Sequence, residues 1–205
     1  MSEARKAPLG RPPTIDAARE TILGHAARLF AQNGYEQTSL QDIALAVGVS
    51  KAAVYHYFTS KQDIYDEIVI GLLDGLLSHV KRSISDEPRA AARIAAFMRA
   101  HAEYFDRNFE GFATLLHGVG GLRAQIRSDR QIFVRDQYET LLHELLEAAS
   151  KAGDIRVDDV RLAARAILSM LNWMSRWYKP GGRLSAVEIA EQYHTMLVGG
   201  ISLKP

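Results

Sequence analysis

The segment 39–61, SLQDIALAVGVSKAAVYHYFTSK, concentrates side chains that can hold a polyanion. A short helix over about 51–58 turns Lys51, Ala52, Tyr55, His56 and Tyr57 outward and sets Val54 and Phe58, spaced i, i+4, inward. Lys51 brings a cation, and Tyr55, His56 and Tyr57 bring hydrogen-bonding tips. Ala52 and Ala53 leave room for close backbone approach. That combination suits a helix lying in the major groove of duplex DNA, whose N-terminal residues reach base edges. The competing reading is a buried corner of a helical core. Residues i, i+1 and i+2 of a helix point in different directions, so three successive polar-tipped aromatics cannot all face one core, which favours the surface.

Local signals position that helix. Ser39 stands where a hydroxyl can cap a preceding helix over about 40–46, with Asp42 three residues on in capping-box spacing. Gly48 falls where the chain must turn, because glycine reaches positive φ without a Cβ clash. Val49 is placed to plug the angle between the helices, and Ser50 caps the second one. Two helices joined by a short turn containing glycine form a helix-turn-helix. In it Ser39, Ser50, Thr59 and Lys61 are expected at phosphates and Gln41 at a base edge.

The segment from Thr21 to Ile68, through the residues ILGHAARLFAQNGYEQTSLQDIALAVGVSKAAVYHYFTSKQDIYDEI, resembles the DNA-binding domain of the TetR family of bacterial repressors. The resemblance runs through Ile22, Ala26, Leu29 and Phe30, the Asn33-Gly34-Tyr35 turn, Gly48-Val49-Ser50, the Val54–Phe58 helix and Ser60-Lys61. Ala52 departs from it: the family often has glycine there, and the extra methyl alters how closely the backbone nears DNA. The resemblance implies a homodimer engaging a palindromic operator and a C-terminal domain that binds a small effector. A dimer places two reading helices about 34 Å apart.

The chain has 205 residues, 47% hydrophobic and 24% charged, enough for a small domain followed by a larger one. Its net charge of +1 means that any DNA contact must come from a local basic patch. It has no cysteine, which excludes disulfides, thiol catalysis and zinc fingers and suits a reducing cytoplasm. No apolar run approaches the ~20 residues needed to span a bilayer, and no secretory leader is visible.

Residues 1–13 read as a flexible arm carrying Arg5, Lys6 and Arg11, either an idle tail or an arm along the phosphates. A support helix follows over about 16–32. Residues 14–61 form the helix-turn-helix domain and 62–205 the ligand-binding and dimerisation domain. Helical periodicity continues over about 61–83, 89–107, 109–117, 128–151, 158–178 and 185–203, and Gly118-Val119-Gly120-Gly121 reads as a loop. No strand pattern appears, so the expectation is an all-α chain of about nine helices.

Ala166, Met170, Trp173 and Trp177 in the eighth helix follow a 4-3-4 spacing, and the ninth adds Ile189, Tyr193, Met196, Leu197 and Ile201. These faces either bury within the monomer or, as the family implies, form a four-helix dimer interface.

The middle of the chain is rich in large apolar residues, among them Phe97, Phe112 and Phe133, most of which serve as core. The run Trp173-x-x-x-Trp177-Tyr178-x-Pro180-Gly181-Gly182 resembles a TetR branch that responds to acyl-CoA thioesters of fatty-acid or steroid breakdown. Such an effector needs an apolar slot and cations for its phosphates. Phe105, Phe109, Trp173 and Trp177 are candidates for the slot. Arg123, Arg127, Arg165 and Arg176 are candidates for the phosphates, and Asn172 for a carbonyl.

No cofactor is expected. The seven histidines form no HExxH, and no nucleophile elbow, P-loop or dinucleotide fingerprint is present. The expected function is an effector-responsive, TetR-type transcriptional repressor. The alternative is an acyl-CoA-binding protein or small enzyme with only nonspecific DNA affinity.

Overall fold

The computed structural model describes residues 15–117 and 129–199. The basic arm, Arg123, Arg127, the Gly118–Gly121 run and the end expected for the last helix near 203 lie outside these residues.

The described residues fold into nine α-helices and contain no strand: α1 (Ile15–Asn33), α2 (Leu40–Val47), α3 (Lys51–Tyr57), α4 (Lys61–Ser85), α5 (Ala90–Arg107), α6 (Phe109–His117), α7 (Asp129–Lys151), α8 (Val160–Trp173) and α9 (Ala186–Gly199). The eighth helix is shorter than its periodicity suggests. After Trp173 the chain tightens into a 3-10 turn over Met174–Arg176. Ser175 Oγ donates to the Asn172 carbonyl at 2.8 Å, and Lys179-Pro180 lies just beyond. The residue before a proline is disfavoured in helical conformation, so α-helix does not continue there.

Helices α1 to α3 and the start of α4 share one core. Ile22, Ala26, Phe30, Ile43, Ala44, Val54, Phe58 and Ile64 are all buried. Tyr65 of α4 packs edge-on against Phe30 and Tyr35, with centroids 6.2 and 5.1 Å away. The long α4 then runs into the second domain, where it packs on α5 and α7. Gly75 lets α5 approach, since a Cβ there would clash with the Tyr104 hydroxyl.

Helix α6 rests on α1, and Thr114 Oγ1 donates to the Ala27 carbonyl at 2.9 Å. Arg19 of α1 pairs with Glu67 of α4. A hydrogen-bonded run also links the domains. Tyr35 Oη donates to Gln62 Oε1 at 3.0 Å, and Asp66 Oδ1 accepts from Gln62 Nε2 at 2.7 Å and from Gln131 Nε2 at 2.9 Å. The reading head is therefore joined to α7 by polar contacts as well as by apolar packing.

His101 of α5 is buried among Phe97, Phe112 and Tyr138. Its Nδ1 lies 2.8 Å from Tyr138 Oη, and its Nε2 has no hydrogen-bond partner among the described residues. Burial pushes the imidazole down to about 3 from its ordinary 6.5. Below pH 6.5 the unfolded chain gains a proton here that the folded chain refuses until about pH 3. The neutral imidazole's contribution is thus complete above pH 6.5 and falls as the pH drops, by about 2 kcal/mol at pH 5. Urea midpoints at pH 7 and pH 5 are expected to differ more for the wild type than for His101→Gln. Equal differences would mean that this imidazole protonates in the folded state.

Candidate nucleic-acid interface and effector clefts

The reading helix is built by caps. Ser39 Oγ accepts from the Asp42 N–H at 3.2 Å, while the Asp42 carboxylate accepts from the Ser39 N–H at 2.8 Å and its hydroxyl at 2.7 Å. These bonds hold the Asp42 carboxyl below its usual range. Gly48 adopts φ 79°, and the Gly48 and Val49 N–H groups donate back to the Leu45 and Ala44 carbonyls. That closure satisfies the last carbonyls of α2 and swings the chain into α3. Ser50 Oγ accepts from the Ala53 N–H at 3.1 Å.

Val49 does not plug the interhelical angle. It is 39% exposed, because the αL turn projects it outward and Ile43, Ala44 and Val54 already fill the space.

On α3, Lys51, Ala52, Tyr55 and His56 are exposed on one surface, with Lys51 Nζ 5.9 Å from the Tyr55 ring centroid. Tyr57 is half-buried, packs against the core and meets His56 edge-on at 5.3 Å. Gln41, Ser39, Ser50 and Thr59 are exposed around this surface. The Thr59 hydroxyl and N–H both donate to Asp63 Oδ2, at 3.2 and 3.0 Å, so that hydroxyl helps open α4.

Lys61 differs most from its expected place at a phosphate. Its ammonium donates to the carbonyls of Tyr35, Glu36 and Thr38 at 2.7, 3.4 and 2.8 Å and lies 4.3 Å from the Tyr35 ring centroid. All three donors are used to lock the α1–α2 connection onto α4. Lys61→Met is expected to destabilise the protein by about 1.5–3 kcal/mol, since it strands part-buried carbonyls that now take a charged donor. Thermal unfolding compared with that of Lys51→Met would show it. Equal midpoints would mean that the Lys61 ammonium is as dispensable for folding as an exposed one.

The residues expected around the effector separate. Phe105 is fully buried with Phe112 and Tyr178, whereas Phe109 is half-buried at the edge of that cluster. Trp173 and Trp177 are 63% and 47% exposed, and Arg176 stacks 5.7 Å from the Trp173 centroid. Arg165 is exposed, and Asn172 is half-buried. Trp173 points away from the core because the α8 face carrying Ile167 and Leu171 is the one turned inward. Leu162 of α8 and Leu197 and Val198 of α9 are exposed apolar side chains as well. Phe133 is likewise 61% exposed rather than core.

Two of the clefts among the described residues lie elsewhere. One, about 850 Å³, lies between the reading head and the second domain, lined by Gly24 and Ala27 of α1, Gly71 of α4 and Phe109 and Gly111 of α6. The other, about 730 Å³, lies between the first turns of α5, the 154–157 connection, α8 and the end of α9. Its walls include Ala91, Ala92 and Ala95 of α5 and Ala163 and Ala166 of α8. These residues were not anticipated. The signal was the alanine-rich start of α5, Arg89-Ala90-Ala91-Ala92-Arg93-Ile94-Ala95-Ala96, an apolar face without bulk.

Among the described residues no acidic or histidine cluster is placed to hold a metal, and no helix is long and apolar enough to cross a membrane.

A capped helix-turn-helix carried on a larger all-helical domain with apolar clefts is the architecture of a ligand-responsive DNA-binding regulator. Residues 22–68 match the family described as bacterial regulatory proteins, tetR family, and residues 87–201 match the tetracyclin repressor-like C-terminal domain. The chain belongs to the TetR family of transcriptional regulators. It is 32% identical over 198 residues to the HTH-type transcriptional repressor KstR2 of Rhodococcus jostii, covering 93% of this chain and 97% of that one. Its fold is similar to the crystal structure of the TetR family regulator PfmR from Thermus thermophilus, with a TM-score of 0.81, 40% identity and 89% and 99% of the two chains covered. It is also similar to AibR, crystallised with isovaleryl coenzyme A and operator DNA, with a TM-score of 0.78, 30% identity and coverages of 88% and 98%.

Proposed function

We propose that this protein is a homodimeric repressor that binds a palindromic operator through α3 and is released by an acyl-CoA thioester. The observation that carries the reading is the exposed surface of Lys51, Ala52, Tyr55 and His56 on a helix capped at its N-terminus by Ser50. Lys51 and the cap hydroxyls of Ser39 and Ser50 set the register on phosphates, while Tyr55 and His56, with Gln41 beside them, reach base edges. The exposed apolar side chains of Leu162, Trp173, Trp177, Leu197 and Val198 support dimerisation through α8 and α9, since a monomer would leave these residues in water.

The thioester reading draws on the likeness to AibR, whose structure holds isovaleryl coenzyme A together with operator DNA. Effector binding in the second domain reaches the reading head through α4 and through the contact of α6 with α1. An allosteric coupling of about 1–3 kcal/mol weakens operator binding roughly 5- to 150-fold.

Fluorescence anisotropy on the DNA upstream of the protein's own gene, with and without a panel of CoA thioesters, tests the reading. Tight binding over random duplex, lost with one thioester, is the expected result. Binding indifferent to the whole panel would remove the thioester and keep the regulator. Binding no tighter than to random duplex would remove the operator.

A further inference from the structure

Helix α4 carries the reading head, so any bend in it moves α3 relative to the second domain. Glycine holds helical conformation less firmly than any residue except proline, and α4 contains two. Gly75 is closed over by Tyr104. Gly71 is exposed, and a Cβ there would meet nothing within 4 Å, so no packing braces that turn directly. The soft point of α4 is therefore Gly71, between Asp66 on the head side and Asp74 on the side of the second domain.

The first turn of α7 spans this point. Arg130 Nη2 donates to Asp74 Oδ2 at 3.2 Å, and its neighbour Gln131 Nε2 donates to Asp66 Oδ1 at 2.9 Å. The Arg130–Asp74 pair is exposed and contributes little. The Gln131 bond is the firm one, since Gln131 is 3% exposed and its acceptor is a carboxylate. Asp66 also accepts from Gln62, and Gln62 accepts from the Tyr35 hydroxyl, so the hold reaches the α1–α2 connection. Helix α7 is itself anchored by the buried Val134, Tyr138 and Leu142 and packs on both α4 and α5. Elsewhere α6 holds α1, through Thr114 and the Ala27 carbonyl. One hold leaves a pivot, whereas two holds on different helices fix an angle.

We infer that the first turn of α7 is a splint across Gly71, in which Gln131 and Asp66 are positioning residues that set the angle of the reading head. That angle sets the half-site spacing the dimer accepts. The inference rests on the proposed homodimer and palindromic operator for its readout, and on the hydrogen-bonded run for its residues. Neither residue belongs to the reading surface of α3, so both act through the placement of that helix. One base pair added between half-sites shifts them by about 3.4 Å and turns them by roughly 35°. Two fixed heads cannot follow that change, and two loosened heads can.

Fluorescence anisotropy of the full-length protein tests this on the palindrome upstream of its own gene. The same palindrome with one base pair inserted or removed between half-sites is compared, together with random duplex. The proteins are wild type, Gln131→Leu, Asp66→Ala, Asp66→Asn and Gln131→Leu combined with Gly71→Ala, with circular dichroism reporting that each is folded. The wild type is expected to prefer the natural spacing by about tenfold or more. Gln131→Leu and Asp66→Ala are expected to cut that preference to roughly threefold or less, by losing affinity for the natural spacing while random-duplex affinity holds. Asp66→Asn is expected to keep the preference, because an amide oxygen accepts the same two hydrogen bonds. Gly71→Ala stiffens α4 without a clash and is expected to restore most of what Gln131→Leu loses.

Wild-type spacing preference in Gln131→Leu or Asp66→Ala would overturn the splint and leave the operator reading standing. So would a loss by the same factor on every spacing, which is the mark of a residue that only supports the fold. Failure of Gly71→Ala to restore the preference would overturn Gly71 as the soft point. A wild type that binds all three spacings equally tightly would overturn a fixed head angle, and one that binds none of them above random duplex would overturn the operator reading and this inference together. Should Gln131→Leu fail to fold, Asp66→Ala against Asp66→Asn decides: equal preferences in the two overturn the role of the bond.

Discussion

Phe105→Ala is expected to lower the free energy of unfolding by about 3–5 kcal/mol, because it removes a fully buried ring and leaves a cavity that its neighbours cannot fill. The ring sits with centroids 5.6, 5.2 and 5.5 Å from those of Phe109, Phe112 and Tyr178, and Tyr178 is held in place by donating to Asp106 at 2.6 Å. That cluster joins α5, α6 and the end of the 3-10 turn, so little backbone is free to collapse into the space. Urea unfolding followed by circular dichroism measures the loss. A wall of the effector site would respond in the opposite way, losing thioester affinity with stability nearly unchanged. That outcome would return Phe105 to the site.

The second large effect concerns DNA. Lys51→Ala combined with Tyr55→Ala is expected to weaken operator binding by about a hundredfold, since one phosphate contact and one base contact, each about 1–3 kcal/mol when well made, are lost together. The two side chains lie near one another, so their separate losses will not simply add. Both are exposed, so the unfolding midpoint should hold. Removing Lys51 alone should lower the slope of log affinity against log salt by about one phosphate contact. Wild-type operator affinity in the double variant would mean that α3 does not present this face to DNA.

The reading head was legible because its determinants are local. A serine three residues before Asp42, a glycine where φ must be positive and a serine before Lys51 each act within one turn of chain, and the structure shows the corresponding bonds. Helix periodicity likewise places Val54 and Phe58 inward and leaves Lys51 and Tyr55 outside. Even here a local reading reaches only so far. Whether Val49 and Tyr57 fall at the surface or in the core depends on how α2 and α3 cross, and that crossing depends on what fills the space between them.

What depends on residues distant in sequence could not be read the same way. A lysine opening a helix near a DNA surface has the chemistry of a phosphate contact. Only the fold brings the carbonyls of Tyr35 and Thr38, 26 and 23 residues earlier, around the Lys61 ammonium. Aromatic type and helical spacing made Phe105 and Trp173 equal candidates for an apolar wall. Packing of α5 against α6 buried the first, and the inward turn of Ile167 and Leu171 left the second in the open.

The clefts belong to this second category most fully. A run of alanines on α5 marks an apolar face without bulk but not a cleft, because a void is a property of the space between elements. That space exists only once α8 has set Ala163 opposite α5 and the 154–157 connection has brought Arg156 to its rim. The sequence by itself determined the short helices α2 and α3, their caps and which side chains of α3 stay exposed, since each follows from interactions within about a turn of chain. The tertiary structure decided which apolar side chains became core, which lysine was consumed in holding the head together and where a ligand has room, because these outcomes are set by contacts between helices.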